Sequence, residues 1–365
     1  MAGRRLPPRR GRAAAGLAVA GLVAASVVGL SHLRPATEVR GATEPEALST
    51  VEPTASSVTP LLADPDAPVT VPLGSAPAAT APPALAMPPA APADRTTPFR
   101  GMGAWVDVFE WAPSYVKPPR TAPNLGPGAV DAMAAAGVQV LYIQATRYNN
   151  PTGGDIVDPE ILAQWIARAK ANGLAVVAWY LPTLTDPAAD LRRFQAMATL
   201  PDVAGIGVDI ESTAVVDPTV RSSRMVALAK SVRAALPDRA LSAIVLPPVD
   251  TDVVNLKYWP GFPWREVRRL FDVWQPMGYW TNRTVSSGYR DAERYTRENV
   301  ERLRVHLGDP AAVVHPIGGI MNKATPGDVT GYLKAVRETG SVGASLYTWG
   351  TQKPEIYPLM RAARR

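Results

Sequence analysis

The chain of 365 residues has no cysteine and only three histidines. Without cysteine there is no disulfide scaffold, zinc ribbon or thiol nucleophile. His32, His306 and His315 are too few for a polyhistidine metal centre, and no metal or other cofactor is expected. Aromatic residues are also missing from the first hundred positions, where Phe99 stands alone. The stretch from Pro35 to Pro98 is dominated by Pro, Ala, Thr, Ser and Val and cannot bury enough apolar surface to build a core. The formal charge of +6 suggests nucleic acid at first sight. Five of the arginines, Arg4, Arg5, Arg9, Arg10 and Arg12, crowd the N-terminus, however. Further along, Arg265, Arg268, Arg269, Arg290, Arg294 and Arg297 are interleaved with acids, which describes solvated helix faces, so no nucleic-acid partner is expected.

Ala13 to Leu30 is an uncharged run of Ala, Leu, Val and Gly broken only by Ser26. At about eighteen residues it sits at the lower limit of the ~17–25 that span a bilayer. The arginines before it would stay in the cytoplasm and send the rest of the chain across, giving a membrane partner through residues 13–30. The same pattern fits a cleaved secretory signal, so an anchored and a secreted domain are both open. Residues 31–98 read as a Pro/Ala-rich spacer, disordered or polyproline-II-like, extending at most ~3 Å per residue. The expected organisation is a basic flank with signal-anchor or signal peptide over 1–30, a spacer over 31–98 and one domain over 99–365.

From Gly101 onward β-rich runs alternate with helical ones. Strands are expected at Ala104–Phe109, Val138–Ala145, Ala175–Leu181, Ala204–Ile210, Leu241–Leu246, Val273–Tyr279, Val313–Ile317 and Ala344–Trp349. Helices are expected at Pro127–Ala136, Pro159–Asn172, Pro187–Thr199, Pro218–Leu236, Trp264–Leu270, Asp291–Leu307 and Pro326–Thr339, with a short last one around Ile356–Arg364. Several open on an N-cap followed by proline, as in Asp158-Pro159, Asp186-Pro187, Asp217-Pro218 and Thr325-Pro326. Strand–helix alternation implies a parallel sheet, and eight repeats match a single α/β (β/α)8 TIM barrel of ~250 residues. An open doubly wound sheet is the alternative, but no G-x-G-x-x-G follows the first strand. The domain is expected to be a monomer.

In such a barrel the active site lies at the C-terminal ends of the strands. The fourth strand ends Gly205-Ile206-Gly207-Val208-Asp209-Ile210-Glu211. Side chains alternate, so the two glycines and two carboxylates share the inward face, with Glu211 at the mouth and Asp209 one layer below. Two acids this close do not both ionise freely, so one keeps its proton near neutrality and becomes a general acid. The alternative is a pair that caps the next loop or meets an arginine such as Arg147.

The G-I-G-V-D-I-E ending resembles the fourth-strand signature of family 18 chitinase-like glycoside hydrolases. The sixth-strand segment Gln275-Pro276-Met277-Gly278-Tyr279 is similar to that family's M-x-Y element, and Trp349 to its barrel-floor tryptophan. The resemblance implies that Glu211 protonates a glycosidic oxygen, Asp209 orients an acetamido group and Tyr279 supports the intermediate. The family's earlier acidic positions fall on Ala204 and Gly207, and Trp280 stands where an Asp follows M-x-Y. Trp105-Val106-Asp107-Val108, taken with V-D-I-E, is similar instead to family 25 lysozymes, which carry an Asp at the end of strand one. Both resemblances imply glycosidic bonds beside N-acetylated sugars.

Aromatics gather at the expected strand ends: Trp105, Trp111, Tyr142, Tyr148, Trp179, Tyr180, Tyr279, Trp280, Tyr347 and Trp349. Sugar rings stack on such side chains, yet aromatics fill cores equally well, so about half of the set is expected inside. The expected catalytic residues are Glu211, Asp209, Tyr279 and Asp107. Gln275, Trp349, Tyr142, Gln144, Met277, Trp179 and Arg147 are expected to bind substrate, and His315 to be a satisfied core histidine. The function expected is an exported hydrolase acting on a polysaccharide; a non-catalytic carbohydrate-binding barrel on a stalk is the alternative. An Asp107–Glu211 separation of about 5 Å would imply retention and ~6.5–9.5 Å inversion, while Tyr279 facing Asp209 would imply substrate assistance.

Overall fold

A computed structural model of the chain describes residues 94–364, apart from 352 and 354. The apolar run at 13–30 lies outside the described residues, as does the spacer up to residue 93. Among the described residues no helix is long and apolar enough to cross a membrane.

Eight parallel strands form one sheet: β1 Gly101–Val106, β2 Val140–Gln144, β3 Ala175–Tyr180, β4 Gly205–Ile210, β5 Ala240–Val245, β6 Val273–Pro276, β7 Ile317–Ile320 and β8 Gly343–Tyr347. Their order is β6-β5-β4-β3-β2-β1-β8-β7, and the bridges Trp274↔Val314 and Met277↔Ile317 bring β6 to β7 and close the barrel. Helices follow in turn: α1 Ala129–Ala136, α2 Pro159–Ala171, α3 Pro187–Ala198, α4 Pro218–Ala235, α5 Trp264–Val267, α6 Ala292–Leu307, α7 Pro326–Glu338 and α8 Tyr357–Met360. The expected (β/α)8 barrel is therefore the observed one.

The caps explain why the helix boundaries were readable. Asp186 accepts from the Ala189 N–H, Asp217 from the Thr219 and Val220 N–H groups, and Thr325 forms a capping box with Asp328. Asp158 is the exception. Its side chain does not cap α2 but accepts from the Ser114 N–H at 2.9 Å, pinning the loop after β1.

Two strands shift from their expected positions because glycine disguises them. β1 ends at Val106, and Asp107 is not in the strand but caps a single helical turn, Val108–Trp111. Gly103 belongs to β1 because Tyr142 packs over it; a Cβ there would lie 2.6 Å from Tyr142 Cε2. β7 runs through Gly318 and Gly319, where a Cβ on Gly318 would lie 2.7 Å from the Trp280 ring, so His315 precedes this strand. Ala204 likewise falls just outside β4 and is exposed.

The barrel divides the apolar residues into two cores. Ile206, Val208 and Ile210 join the outer layer under the helices. Phe99, Trp105, Val140, Tyr142, Val177, Trp179, Ile244, Val273, Met277 and Ile317 fill the interior. Trp105 stacks on Tyr142 with ring centroids 4.2 Å apart. Burial pushes His315 down to about 4, so it is neutral. Its Nδ1–H donates to the Phe99 carbonyl at 2.7 Å, and its Nε2 accepts from the Ser345 hydroxyl at 3.0 Å. The Ser345 oxygen in turn accepts from Trp105 Nε1–H at 2.8 Å.

This chain of bonds ties Phe99, just before β1, into the barrel, where its ring fills the space that Gly205 leaves open. Phe99→Ala is expected to cost about 3–5 kcal/mol of unfolding free energy, the usual range for emptying a fully buried phenylalanine. Chemical denaturation checks it, and a cost below about 1 kcal/mol would remove Phe99 from the core.

Candidate active site

The alternation of β4 delivers its two carboxylates as the period of two requires. Asp209 points into the barrel and is 5% exposed, while Glu211, one residue past the strand, is half-buried at the mouth. Below them, Gly207 has no room for a side chain, because a Cβ would sit 3.0 Å from both Ile244 Cδ1 and Trp179 Cβ. The Ile244 methyl and the Trp179 Cβ thus crowd the space that an acidic side chain would enter. Asp209 Oδ1 is left buried with no hydrogen-bond partner among the described residues.

Burial raises the pKa of both groups. Glu211 is pushed up to about 7 by desolvation. Asp209 is raised by its own burial and then by the Glu211 charge. Tyr258, from the loop after β5, donates its hydroxyl to the Glu211 carbonyl at 2.8 Å and fixes the backbone there.

A second acidic pair stands at the end of β1. Asp107 Oδ1 accepts from the Phe109 N–H at 2.9 Å, and Glu110 Oε2 accepts from the Asp107 N–H at 3.1 Å. Tyr347, at the end of β8, donates to Asp107 Oδ2 at 3.0 Å, while the Thr348 hydroxyl donates to Glu110 Oε1. Gly350 packs so closely on Glu110 Oε1 that a Cβ would collide with it. Burial, then the neighbouring Asp107, pushes Glu110 up to about 8.

Tyr279 links the two pairs. It follows β6, its ring lies 5.7 Å from that of Tyr347, and its hydroxyl is held protonated by burial and then by Glu211, Asp209 and Asp107. The structure therefore brings together Asp107, Asp209, Glu211 and Tyr279 around one mouth. Glu110, Tyr347 and Tyr258 join them.

The other sequence candidates lie elsewhere. Gln144 is buried, and its side-chain oxygen accepts from the Val108 N–H at 3.1 Å, which holds the loop carrying Asp107. Tyr142, Trp179 and Met277 fill the interior. Gln275 is fully buried beside Tyr142, with neither end of its carboxamide in a well-aligned hydrogen bond. Trp349 is 2% exposed and packs against Tyr357 in the outer core, so it offers no face to a ligand. Of the aromatic set only Tyr148, Tyr279 and Tyr347 escape full burial. Arg147 stays half-buried at the rim, 4.6 Å from the Phe109 ring centroid.

Sequence reasoning missed Glu110, although Asp107-x-x-Glu110 is the pattern of a capping box. Tyr258 carried no such signal, since it sits in an irregular loop. Among the described residues no three His, Cys, Asp or Glu side chains gather where a metal could be held.

Architecture and mouth together define a (β/α)8 barrel with buried carboxyls gathered at the C-terminal ends of its strands. Its fold is similar to that of a class V chitinase from Pseudomonas fluorescens Pf-5, with a TM-score of 0.51, 12% identity and coverage of 72% of this chain and 99% of the other. The spore cortex-lytic enzyme SleL of Bacillus cereus matches at 0.52 and 10% identity, covering 73% and 74%. A GH18 chitinase from Cycas revoluta in complex with (GlcNAc)4 matches at 0.51 and 11% identity, covering 72% and 98%. At such identities the likeness is one of fold. No family model and no curated protein sequence matches the chain.

The raised pKa of Glu110 has a consequence for stability. A buried carboxyl with a folded value of about 8 against an ordinary 4.5 stabilises fully below 4.5 and loses that contribution as pH rises through 8. Glu110→Gln cannot ionise, and its amide can donate to Thr348. Relative to the parent chain it should gain on the order of 1–3 kcal/mol between pH 5 and pH 8.5, measured by denaturant titration at each pH. A difference independent of pH would show that Glu110 is ionised throughout.

Proposed function

We propose that the chain is a glycoside hydrolase cleaving a polysaccharide that contains N-acetylated sugars, with Glu211 as general acid/base. The observation that carries this reading is the Asp209–Glu211 pair on the inward face of β4, with Glu211 pushed up to about 7 and so still able to give up a proton near neutrality. Fold similarity to two chitinases and a cortex-lytic enzyme supports a glycan as the partner.

In the proposed reaction Glu211 transfers its proton to the glycosidic oxygen as the bond to the anomeric carbon breaks. Asp209, whose Oδ1 has no hydrogen-bond partner among the described residues, accepts the N–H of the substrate's acetamido group. The acetamido oxygen then closes on the anomeric carbon, and the Tyr279 hydroxyl donates to it. Ionised Glu211 next takes a proton from the water that opens this intermediate. Tyr279 stands among Glu211, Asp209 and Asp107, and the reading adopted is substrate assistance rather than attack by Asp107. Asp107, oriented by Tyr347, binds the polar edge of a sugar. On this reading the domain works as a monomer outside the cytoplasm, either tethered by residues 13–30 or released by cleavage.

A non-catalytic carbohydrate-binding barrel is the second reading, favoured by Gly207, where Trp179 and Ile244 leave no room for a further acid. Release of reducing ends from N-acetylglucosamine oligomers and from peptidoglycan glycan strands distinguishes the two. The wild-type chain should hydrolyse at least one of them, and Glu211→Gln should lose ~10²–10⁴-fold of the rate while still binding glycan. Full activity in that variant would remove Glu211 from the mechanism. Glycan retained by the wild-type chain without reducing ends would establish the binding module.

The rate should also fall as pH rises through about 7, because the acid form of Glu211 is lost there. A pH–rate profile of kcat/KM that stays flat from pH 6 to pH 9 would contradict the assignment.

A further inference from the structure

Arg147 stands in the loop after β2, where no acceptor among the described residues meets it. Its guanidinium lies 4.6 Å from the ring centroid of Phe109, 5.8 Å from Tyr115 and 5.7 Å from Tyr148. Among the described residues it makes neither a hydrogen bond nor an ion pair. Arg193 close by is different: it donates to the Tyr180 hydroxyl at 3.2 Å and the Tyr148 carbonyl at 3.3 Å, and pairs with Asp190 at 3.7 Å.

The aromatic rings attract the charge of Arg147 but satisfy none of its N–H donors. A guanidinium in this position is already partly desolvated and held by its neighbours, and it retains the planar fork that matches a carboxylate with two parallel bonds. It also belongs to the mouth. Its charge draws the Asp107 carboxyl down, against the effect of burial, and beside it Tyr148 is 42% exposed, a face on which a sugar can stack. The neighbouring Arg193 is already engaged by Asp190, Tyr180 and the Tyr148 carbonyl, so Arg147 is the guanidinium beside this mouth left to meet an anionic glycan.

We infer that Arg147 is a specificity residue that binds a carboxylate carried by a sugar of the glycan. The inference rests on the glycan-hydrolysing reading and narrows it to acidic N-acetylated polysaccharides. The carboxylate belongs either to a uronic acid or to a lactyl ether on an amino sugar. Both present two coplanar oxygens on a pyranose, and both suit the fork.

Calorimetric titration of the purified chain tests this with three oligomers of matched length. These are neutral N-acetylglucosamine oligomers, hyaluronan oligomers bearing uronate, and peptidoglycan glycan fragments bearing the lactyl carboxylate. The wild-type chain should bind at least one acidic oligomer ~10-fold or more tightly than the neutral one, with a preference that shrinks at high salt. The oligomer preferred identifies the source of the carboxylate. Arg147→Gln should bring the ratio of acidic to neutral affinity to within about twofold. Arg147→Lys, which keeps the charge without the fork, should fall between.

Thermal melts of both variants establish that they fold, and the lysine variant carries the test if the glutamine variant does not. Equal affinity of the wild-type chain for acidic and neutral oligomers would overturn the inference, as would a preference unchanged in Arg147→Gln. Hydrolysis of the neutral oligomer with no such preference would overturn it while leaving the glycosidase reading intact. Absence of both binding and hydrolysis with all three would overturn the two together.

Discussion

Removing an ionised carboxylate from water costs several kcal/mol even after the protein relaxes around it. At the end of β4 the chain places two of them on one inward face, Asp209 buried and Glu211 half-buried above it. No arginine or lysine pairs with either among the described residues, so the desolvation is relieved by holding protons. Much of the surrounding arrangement follows from that. Phenols ring the mouth because a neutral hydroxyl can sit beside either protonation state, and the raised values of Tyr258, Tyr279 and Tyr347 show that each keeps its proton there.

The barrel interior supports this by close packing of aromatic and aliphatic side chains. Trp179 and Ile244 occupy the space over Gly207, while Trp105 stacked on Tyr142 fills the adjacent layer. Beneath them the His315–Ser345–Trp105 bonds satisfy the Ser345 hydroxyl, the Trp105 indole N–H and the His315 Nε2. Across the mouth, the Asp107–Glu110 capping box is tied to β8 through Tyr347 and Thr348. The end of β1 and the end of β8 are thereby held in one piece. A mouth built on strand ends and capped turns keeps its acids in register more firmly than a site on long loops.

Most of the barrel was legible because β-rich runs alternated with helical ones, four of which opened on an Asp-Pro or Thr-Pro pair. β1 and β7 were displaced because their glycines look like turns until the side chains of Tyr142 and Trp280 are seen to need that space. For the site, Asp209 and Glu211 were readable from period two alone, and Tyr279 from its place after β6. Glu110 was hidden because Asp107 to Phe109 were read as the end of a strand that stops just before it, whereas Asp107 caps a helical turn over Val108–Trp111. Tyr258 and the outward turn of Trp349 depend on contacts across the fold, which no local pattern encodes.

The central claim is that desolvation at the end of β4 holds Glu211 protonated close to neutral pH. A carbon-13 carboxyl titration of the wild-type chain, with the Glu211 resonance assigned by its loss in a substituted chain, measures this directly. The account predicts a midpoint near 7. A midpoint at the ordinary glutamate value of about 4.3 would contradict it, because Glu211 would then be ionised at neutrality and unable to serve as the acid.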